Sequence, residues 1–365
     1  MPTAPLATAI LRRAPKVLLH EHLDGGLRPQ TCLDLAEACG YRGLPTDEPA
    51  ALAASFAAGA DRKSLALYLE GFGHTIALMQ TAESLARVAQ EAIEDLAGDG
   101  VVYAELRFAP HFHTSEGLAL EAVMEAVLDG IRSGTDSTGI TARLLVCAMR
   151  NEDPELSETL AALAIAHRDI GCGGFDLAGE EAGHPAHHHI RAFQLIQREN
   201  FSITIHAGES FGPASIWKAL QFCGAHRIGH GVRLTEDLEP DAEGRLAQYV
   251  LDHRIPLELC LSSNLHTGAT ESLETHPFPT LWAGGYRVTL NTDNRLMSAT
   301  TMTQEYALAH AHYDLDLNDL EKLAINGMKS AFAPYSERIR LIYEAIKPVY
   351  ATLRSELGIT ERNHR

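Results

Sequence analysis

Two imidazoles stand two residues apart in the run Leu18-Leu-His20-Glu-His22-Leu-Asp24. Further on come His206 and Glu209 in His-Ala-Gly-Glu, His230 in Ile-Gly-His-Gly, and Asp293 in Asn-Thr-Asp-Asn294. In an extended strand alternate side chains share a face, so His20 and His22 point toward one centre. Neutral imidazoles with a carboxylate suit zinc, at bonds of about 2.0–2.2 Å, and iron or cobalt would accept the same donors. Three histidines and one aspartate exceed the three protein ligands usual at catalytic zinc, so water would make such a site five-coordinate. An ion of this kind lowers the pKa of bound water toward about 7, leaving Glu209 and His230 to move protons beside it. Each residue alone has a plainer role. A strand-end histidine is more often a hydrogen-bonded core residue, and Asp293 could cap a helix. The coincidence of all of them at strand ends is what points to a site.

The elements that would position these groups read as alternating strands and amphipathic helices. Residues 16–22, 101–108, 142–148, 173–177, 201–206, 227–229, 256–260 and 287–291 form short β-rich runs. The clearest helix begins near Thr81, where Leu85, Val88, Ala89, Ala92, Ile93 and Leu96 recur at helical spacing, and Gly98 and Gly100 stop it. Alternation of this kind implies parallel strands with right-handed crossovers. Eight such strands predict an α/β fold, a closed (β/α)₈ TIM barrel whose C-terminal strand ends hold the active site. The stretch between the first two strands is about twice an ordinary crossover. A helix over 31–39, an alanine-rich segment over 50–60 and a helix near 64–79 make it a helical insertion on the rim, about residues 28–98, poised as a lid. No Pro/Gly/Ser linker divides the chain, so residues 1–365 read as one domain. Helices follow the last strand to about residue 357, and 361–365 reads as a frayed tail.

Composition narrows the function further. Among 365 residues, 30 Lys+Arg face 48 Asp+Glu, a formal charge of −18, with 45% hydrophobic and 21% charged residues. Such a chain repels phosphate backbones and shows no Lys/Arg stripe, which argues against nucleic acid. The six cysteines form no Cys-x-x-Cys pair, so neither a thiolate zinc cluster nor a disulfide framework is expected. No run of about 18 apolar residues exists to span a bilayer, and Arg12 and Arg13 follow the short apolar start, the reverse of a secretory signal. A reducing cytoplasm is the expected home, and no motif speaks to oligomeric state.

Several segments together resemble the adenosine deaminase family of metal-dependent amidohydrolases. They are Lys16-Val-Leu-Leu-His-Glu-His-Leu-Asp-Gly25, Val101-Val-Tyr-Ala-Glu-Leu-Arg107, Phe175-Asp-Leu-Ala-Gly-Glu180, Thr204-Ile-His-Ala-Gly-Glu209, Arg227-Ile-Gly-His-Gly231, Ser262-Ser-Asn264 and Leu290-Asn-Thr-Asp293. The likeness runs from about residue 15 to 350, in order and at matching intervals. It implies hydrolytic deamination of adenosine and 2′-deoxyadenosine, with release of ammonia, in purine salvage. It implies one Zn²⁺ per chain on His20, His22, His206 and Asp293. Glu209 matches the proton donor to purine N1, and His230 the group that orients or deprotonates the attacking water. Gly179 matches the position whose N–H meets purine N3, and Asp24 the carboxylate that holds the ribose 5′-hydroxyl. Leu65, Tyr68, Leu69 and Phe72 fall where the family has an apolar lid, although helical spacing alone would equally suit core packing.

The chain departs from the family at two positions. Asn294 stands where many members carry a second Asp that donates to purine N7, and an amide NH₂ donates without protonation. Leu261 follows Cys260 where proline is common. A two-metal relative with a modified lysine at the fourth strand end is disfavoured, because Asp176-Leu-Ala-Gly179 has no lysine. The cluster His184, His187, His188 and His189 reads as a flexible, solvated loop rather than a second metal site. The remaining enzymatic alternative is another N6-aminopurine: adenine, AMP or a 5′-modified nucleoside such as aminodeoxyfutalosine. Asp24 would repel the phosphate of AMP, and adenine has no ribose for it to hold. A binding protein that has lost catalysis would be expected to lack one of these groups, yet the set is complete.

Overall fold

The computed structural model describes residues 6–238 and 244–362. Its eight strands are β1 (Lys16–His22), β2 (Val101–Phe108), β3 (Thr141–Met149), β4 (Cys172–Ala178), β5 (Thr204–Ala207), β6 (Arg227–His230), β7 (Leu257–Leu259) and β8 (Val288–Leu290). They pair in parallel in two runs, β1 to β4 and β5 to β8. Bridges between Phe175 and Ile203 and between Glu21 and Asp293 join the runs at both seams, so the barrel closes. Helices cover its outside, and the strands are buried almost throughout. That is why they read as continuous apolar runs rather than alternating ones. The second half is thinner, with strands of three or four residues.

Five α-helices occupy the segment between β1 and β2: Pro29–Cys39, Pro49–Ala60, Leu65–Leu69, Phe72–Leu78 and Ala82–Gly98. Thr81 and Ser84 cap the last of these reciprocally, and its apolar stripe is buried as the spacing predicts. The helix expected over 64–79 is interrupted at Glu70–Gly71, although both residues keep near-helical angles. Glycine weakens a helix interior, and here a Cβ on Gly71 would meet Met297 Sδ at 3.0 Å. The tail also differs from expectation. Arg362 ion-pairs with Asp316 and Asp319, so Glu361 and Arg362 are tied to the body, while 363–365 lie outside the described residues.

Between strands and helices the core is apolar, but the barrel's axis is charged. Lys16, Glu105, Arg107, Asp176, Arg227 and Glu258 are all essentially inaccessible. Lys16 closes the base, donating to the carbonyls of Arg12, Ala14 and Asp99, and burial brings its ammonium down to about 8.

Glu305, in the helix Met302–Tyr313, is buried and accepts hydrogen bonds from the Thr300 and Ser262 hydroxyls. Burial pushes its carboxyl up to about 7. A carboxyl raised on folding favours the fold while protonated, so its contribution is full below about pH 4.5 and is lost as pH rises through about 7. Glu305→Gln is expected to flatten the fall in unfolding free energy between pH 5 and 8, by about 3 kcal/mol at most. Urea melts of both proteins across that range check this, and parallel pH slopes would exclude Glu305 as the source.

Candidate active site

Four elements bring the motif residues to one end of the barrel. The alternation of β1 aims His20 and His22 inward, β5 contributes His206, β6 ends on His230, and Asp293 follows β8. Asp293 is locked to β1 through backbone bonds, His22 N–H to its carbonyl at 2.7 Å and its own N–H to the His20 carbonyl at 2.9 Å. Both His230 and Asp293 sit at φ +62°. That left-handed conformation is uncommon for a side chain-bearing residue and costs roughly 1–3 kcal/mol. Gly229 makes the packing possible, since a Cβ there would lie 3.1 Å from both His20 Cε1 and the His206 backbone.

The donor atoms converge. His20 Nε2 lies 3.2 Å and His22 Nε2 3.4 Å from Asp293 Oδ1, and the Nε2 atoms of His22 and His206 are 3.1 Å apart. One ligand atom from each of His20, His206, His230 and Asp293 falls within 4.8 Å of the others. His22 joins from the side through its short contacts to His206 and Asp293. Bonds of about 2.0–2.2 Å at near-right angles place neighbouring donors about 3 Å apart, which matches these separations. His20 Nε2 is also buried without a hydrogen-bond partner. The residues therefore fit a divalent cation.

A second layer orients the first. Glu258 accepts from His20 Nδ1 at 2.8 Å, and Asp176 from His206 Nδ1 at 3.1 Å, which turns each Nε2 toward the centre. Arg107 bridges those two carboxylates at 2.9 and 2.7 Å. Ser263 donates to Asp293 at 2.6 Å, and Asn264 meets His230 Nδ1 at 3.1 Å. Burial, helped by Arg107, lowers His20 to about 4, and burial holds His22 well below the usual histidine range. Both are therefore neutral donors at pH 7. Burial opposes charge on His206 as well, but Asp176 outweighs it and raises that imidazole, so a metal there competes with a proton. Burial disfavours the Asp293 anion too, yet the hydrogen bond and charge of His20 hold it well below the carboxylate range.

Above the cluster lies a cavity of about 380 Å³ whose lining includes Asp24, Leu65, Tyr68, Leu69, Phe72, Gly179, Glu209, His230 and Asn294. Every residue that the resemblance places in the site thus borders this cavity or the cluster. Glu209 is 3.6 Å from His230 Nε2, and its Oε1 is buried and unpartnered. Burial raises its carboxyl. Asp24 keeps Oδ1 unpartnered, with His113 Nε2 3.9 Å from its other oxygen. Burial brings Asp24 up to about 7 and His113 down to about 4. Gly179 adopts φ +98°, where a Cβ would come within 3.2 Å of Asn151 and 3.3 Å of Met149. Tyr68 is apolar only in its ring, because its hydroxyl bonds Ser298 at 2.9 Å. Leu261 opens the short helix Leu261–His266, and its backbone N–H, which proline would lack, bonds the buried Glu305 carboxylate.

Two groups escape a motif reading. The buried Glu181 carboxylate accepts from the backbone N–H groups of Gly208, Glu209 and Ser210 at 2.8–2.9 Å, with Phe211 at 3.4 Å. It clamps the turn that presents Glu209, and its adjacency to Gly179-Glu180 was the available signal. His113 closes Pro110-His-Phe-His113 after β2, a second His-x-His. The expectation of a flexible histidine loop at 184–189 is corrected. Residues Ala186–His189 form a helical turn, and His189 is buried between the Ser157 hydroxyl at 2.8 Å and the Arg150 carbonyl at 3.1 Å.

The adenosine deaminase family profile matches residues 15–348. An adenosine deaminase of Mycolicibacterium vanbaalenii is 50% identical over 361 residues, covering 96% of this chain and 99% of its own. The solved Arabidopsis ADAL complexed with IMP superposes with a TM-score of 0.81 at 28% identity, over 96% of this chain and 99% of its own. An adenine deaminase of Arthrobacter aurescens reaches 0.83 at 24% identity, over 94% and 99%, a likeness of fold alone.

Asp176→Asn tests the second layer. Loss of the carboxylate behind His206 is expected to weaken metal binding about 10–100-fold, measured by competition with a chromogenic chelator. Unchanged affinity would show that Asp176 does not prepare the ligand.

Proposed function

The chain belongs to the adenosine deaminase family, and from that premise we propose how its barrel mouth hydrolyses adenosine and 2′-deoxyadenosine to inosine, 2′-deoxyinosine and ammonia, a step of purine metabolism. The observation that carries the reading is Glu209. It is a carboxyl raised by burial, with one free oxygen, set between the imidazole–carboxylate cluster and a nucleoside-sized cavity. His20, His22, His206 and Asp293 would hold a divalent cation such as zinc, which when bound would supply the Lewis acidity that makes water nucleophilic near neutral pH.

The chain's own residues do the rest. The protonated Glu209 donates to purine N1 as C6 is attacked, which relieves negative charge building in the ring. His230, braced at Nδ1 by Asn264, directs its other face toward Glu209 and the incoming water, orienting that water and drawing its proton. The Gly179 N–H meets purine N3, and the Asn294 amide donates to N7. Asp24 accepts from the ribose 5′-hydroxyl. Leu65, Tyr68, Leu69 and Phe72 cover the nucleoside and exclude bulk water, which strengthens each of these polar contacts. Asp24 also sets the substrate class, because its carboxylate would face and repel a 5′-phosphate and has no partner on free adenine.

Glu209→Gln keeps the size and the backbone clamp but cannot cycle a proton. Ammonia release from adenosine is expected to fall about 10²–10⁴-fold with metal content unchanged, as read by a coupled ammonia assay and metal analysis. Activity within a few-fold of wild type would remove Glu209 from the mechanism.

Asn294→Asp tests the contact to N7. A carboxyl donates only while protonated, so kcat/KM of the variant is expected to fall with rising pH across a range where the amide is indifferent. Superimposable pH–rate profiles would show that position 294 does not donate to the purine.

A further inference from the structure

At the opposite end of the barrel from the catalytic cluster lies a second, larger cavity of about 970 Å³. It is walled by residues at the N-terminal ends of β4 to β8 and by residues 329–338. Seven arginines and Lys329 line it, against one acid, Asp169, among the described residues. In a chain of net charge −18, that concentration of cations runs against the whole molecule's field.

Some of this charge is already neutralised. Arg132 pairs with Asp129, Arg143 with Glu337, and Arg227 with Glu105 and Glu258 inside the barrel. The others are not compensated. Arg168, Arg254 and Arg338 donate to the carbonyls of Glu199, Gly285 and Lys329, which are dipoles rather than counter-charges. Arg287 makes no ion pair among the described residues, and its Nε is buried without any partner. Burial, with Arg254 and Arg338 close by, lowers its guanidinium from the usual range. Arg254, Arg287 and Arg338 thus line one cavity, close enough for the first and last to disfavour charge on Arg287, and no ion pair to a carboxylate offsets any of the three among the described residues, a costly arrangement unless an anion joins it. Apolar surface is available beside them, since Phe201 lies under the Arg168 guanidinium at 4.8 Å and Phe332 under Arg227 at 3.5 Å.

We propose that this cavity binds a multiply charged phosphate anion, a nucleoside polyphosphate or an inorganic polyphosphate, held by Arg254, Arg287 and Arg338. Guanidinium forks match phosphate oxygens in pairs, and three of them call for more charge than one orthophosphate offers. A volume of this order also accommodates a ligand of nucleotide size. The site lies at the far end of the barrel from the purine cavity and shares no lining residue with it, so its ligand need not compete with adenosine.

Isothermal titration of the full-length, metal-loaded protein tests this, with inosine saturating the purine site and ATP, tripolyphosphate and orthophosphate as separate titrants at low salt. Tripolyphosphate is expected to bind once per chain, at least tenfold tighter than orthophosphate, and to weaken as salt is raised. ATP binding tighter than tripolyphosphate identifies the nucleotide as the source, and equal binding identifies the phosphate chain alone. Arg254→Gln/Arg287→Gln is expected to lose at least tenfold in affinity while adenosine turnover stays at the wild-type value. Should the double variant melt early, the exposed Arg254→Gln alone is expected to lose at least threefold. No saturable binding of either polyanion, binding no tighter than orthophosphate, or full affinity in a correctly folded variant would overturn the proposal.

Discussion

The site depends on two carboxylates buried inside the barrel. Glu258 and Asp176 each take the Nδ1–H of a histidine, and Arg107 spans the pair. Arg227 then ties Glu258 to Glu105 deeper in the axis. Two cations and three anions are thus locked together where water does not reach. Removing one partner from such a network strands a charge in low dielectric, at a cost of about 3–5 kcal/mol. What the network achieves is orientation, because it leaves each imidazole one tautomer and one direction. A motif that was only a list of ligands becomes a preorganised donor set.

Around that set the chain concentrates its departures from easy geometry. His230 and Asp293 hold left-handed backbone, and Gly229 gives up its side chain to admit His20. Several buried polar atoms face the cavity unpaired, namely Glu209 Oε1, Asp24 Oδ1 and Asn294 Oδ1. Unsatisfied groups of this kind are costly in a finished fold, and a polar ligand in the purine cavity would give these three their missing partners. The helices between β1 and β2 supply the opposite property, an apolar cover in which the Tyr68 hydroxyl is pinned to the loop after Asp293 through Ser298.

Much of the fold was legible in local patterns. Every strand was found within a few residues because apolar runs bounded by turns survive in short windows, and the period of two in β1 placed both histidines on one face. The stripe of Leu85 to Leu96 likewise announced its helix. Local reading failed where a residue's environment comes from distant chain. His189 looked like part of a solvated histidine run, yet Ser157 and Arg150 bury it. The 64–79 helix looked continuous, yet it breaks at Glu70–Gly71, where Met297 packs so close to Gly71 that a Cβ would meet its sulfur at 3.0 Å. Arg362 looked like tail until Asp316 and Asp319 bound it.

The sequence by itself determined which chemical groups are present and how neighbours along a strand or helix face, since those periodicities are set by backbone geometry. It thereby determined the barrel and which side chains are available for chemistry at its mouth. Only the tertiary structure decided which groups from separate segments share a centre: Glu258 behind His20, Glu181 beneath Glu209, His113 against Asp24. It also gathered arginines with no stripe in the sequence into one cavity at the far end. The reason is that Coulombic and hydrogen-bonding contacts act through space over a few ångströms, and closure of the barrel, not spacing along the chain, sets which residues come that near.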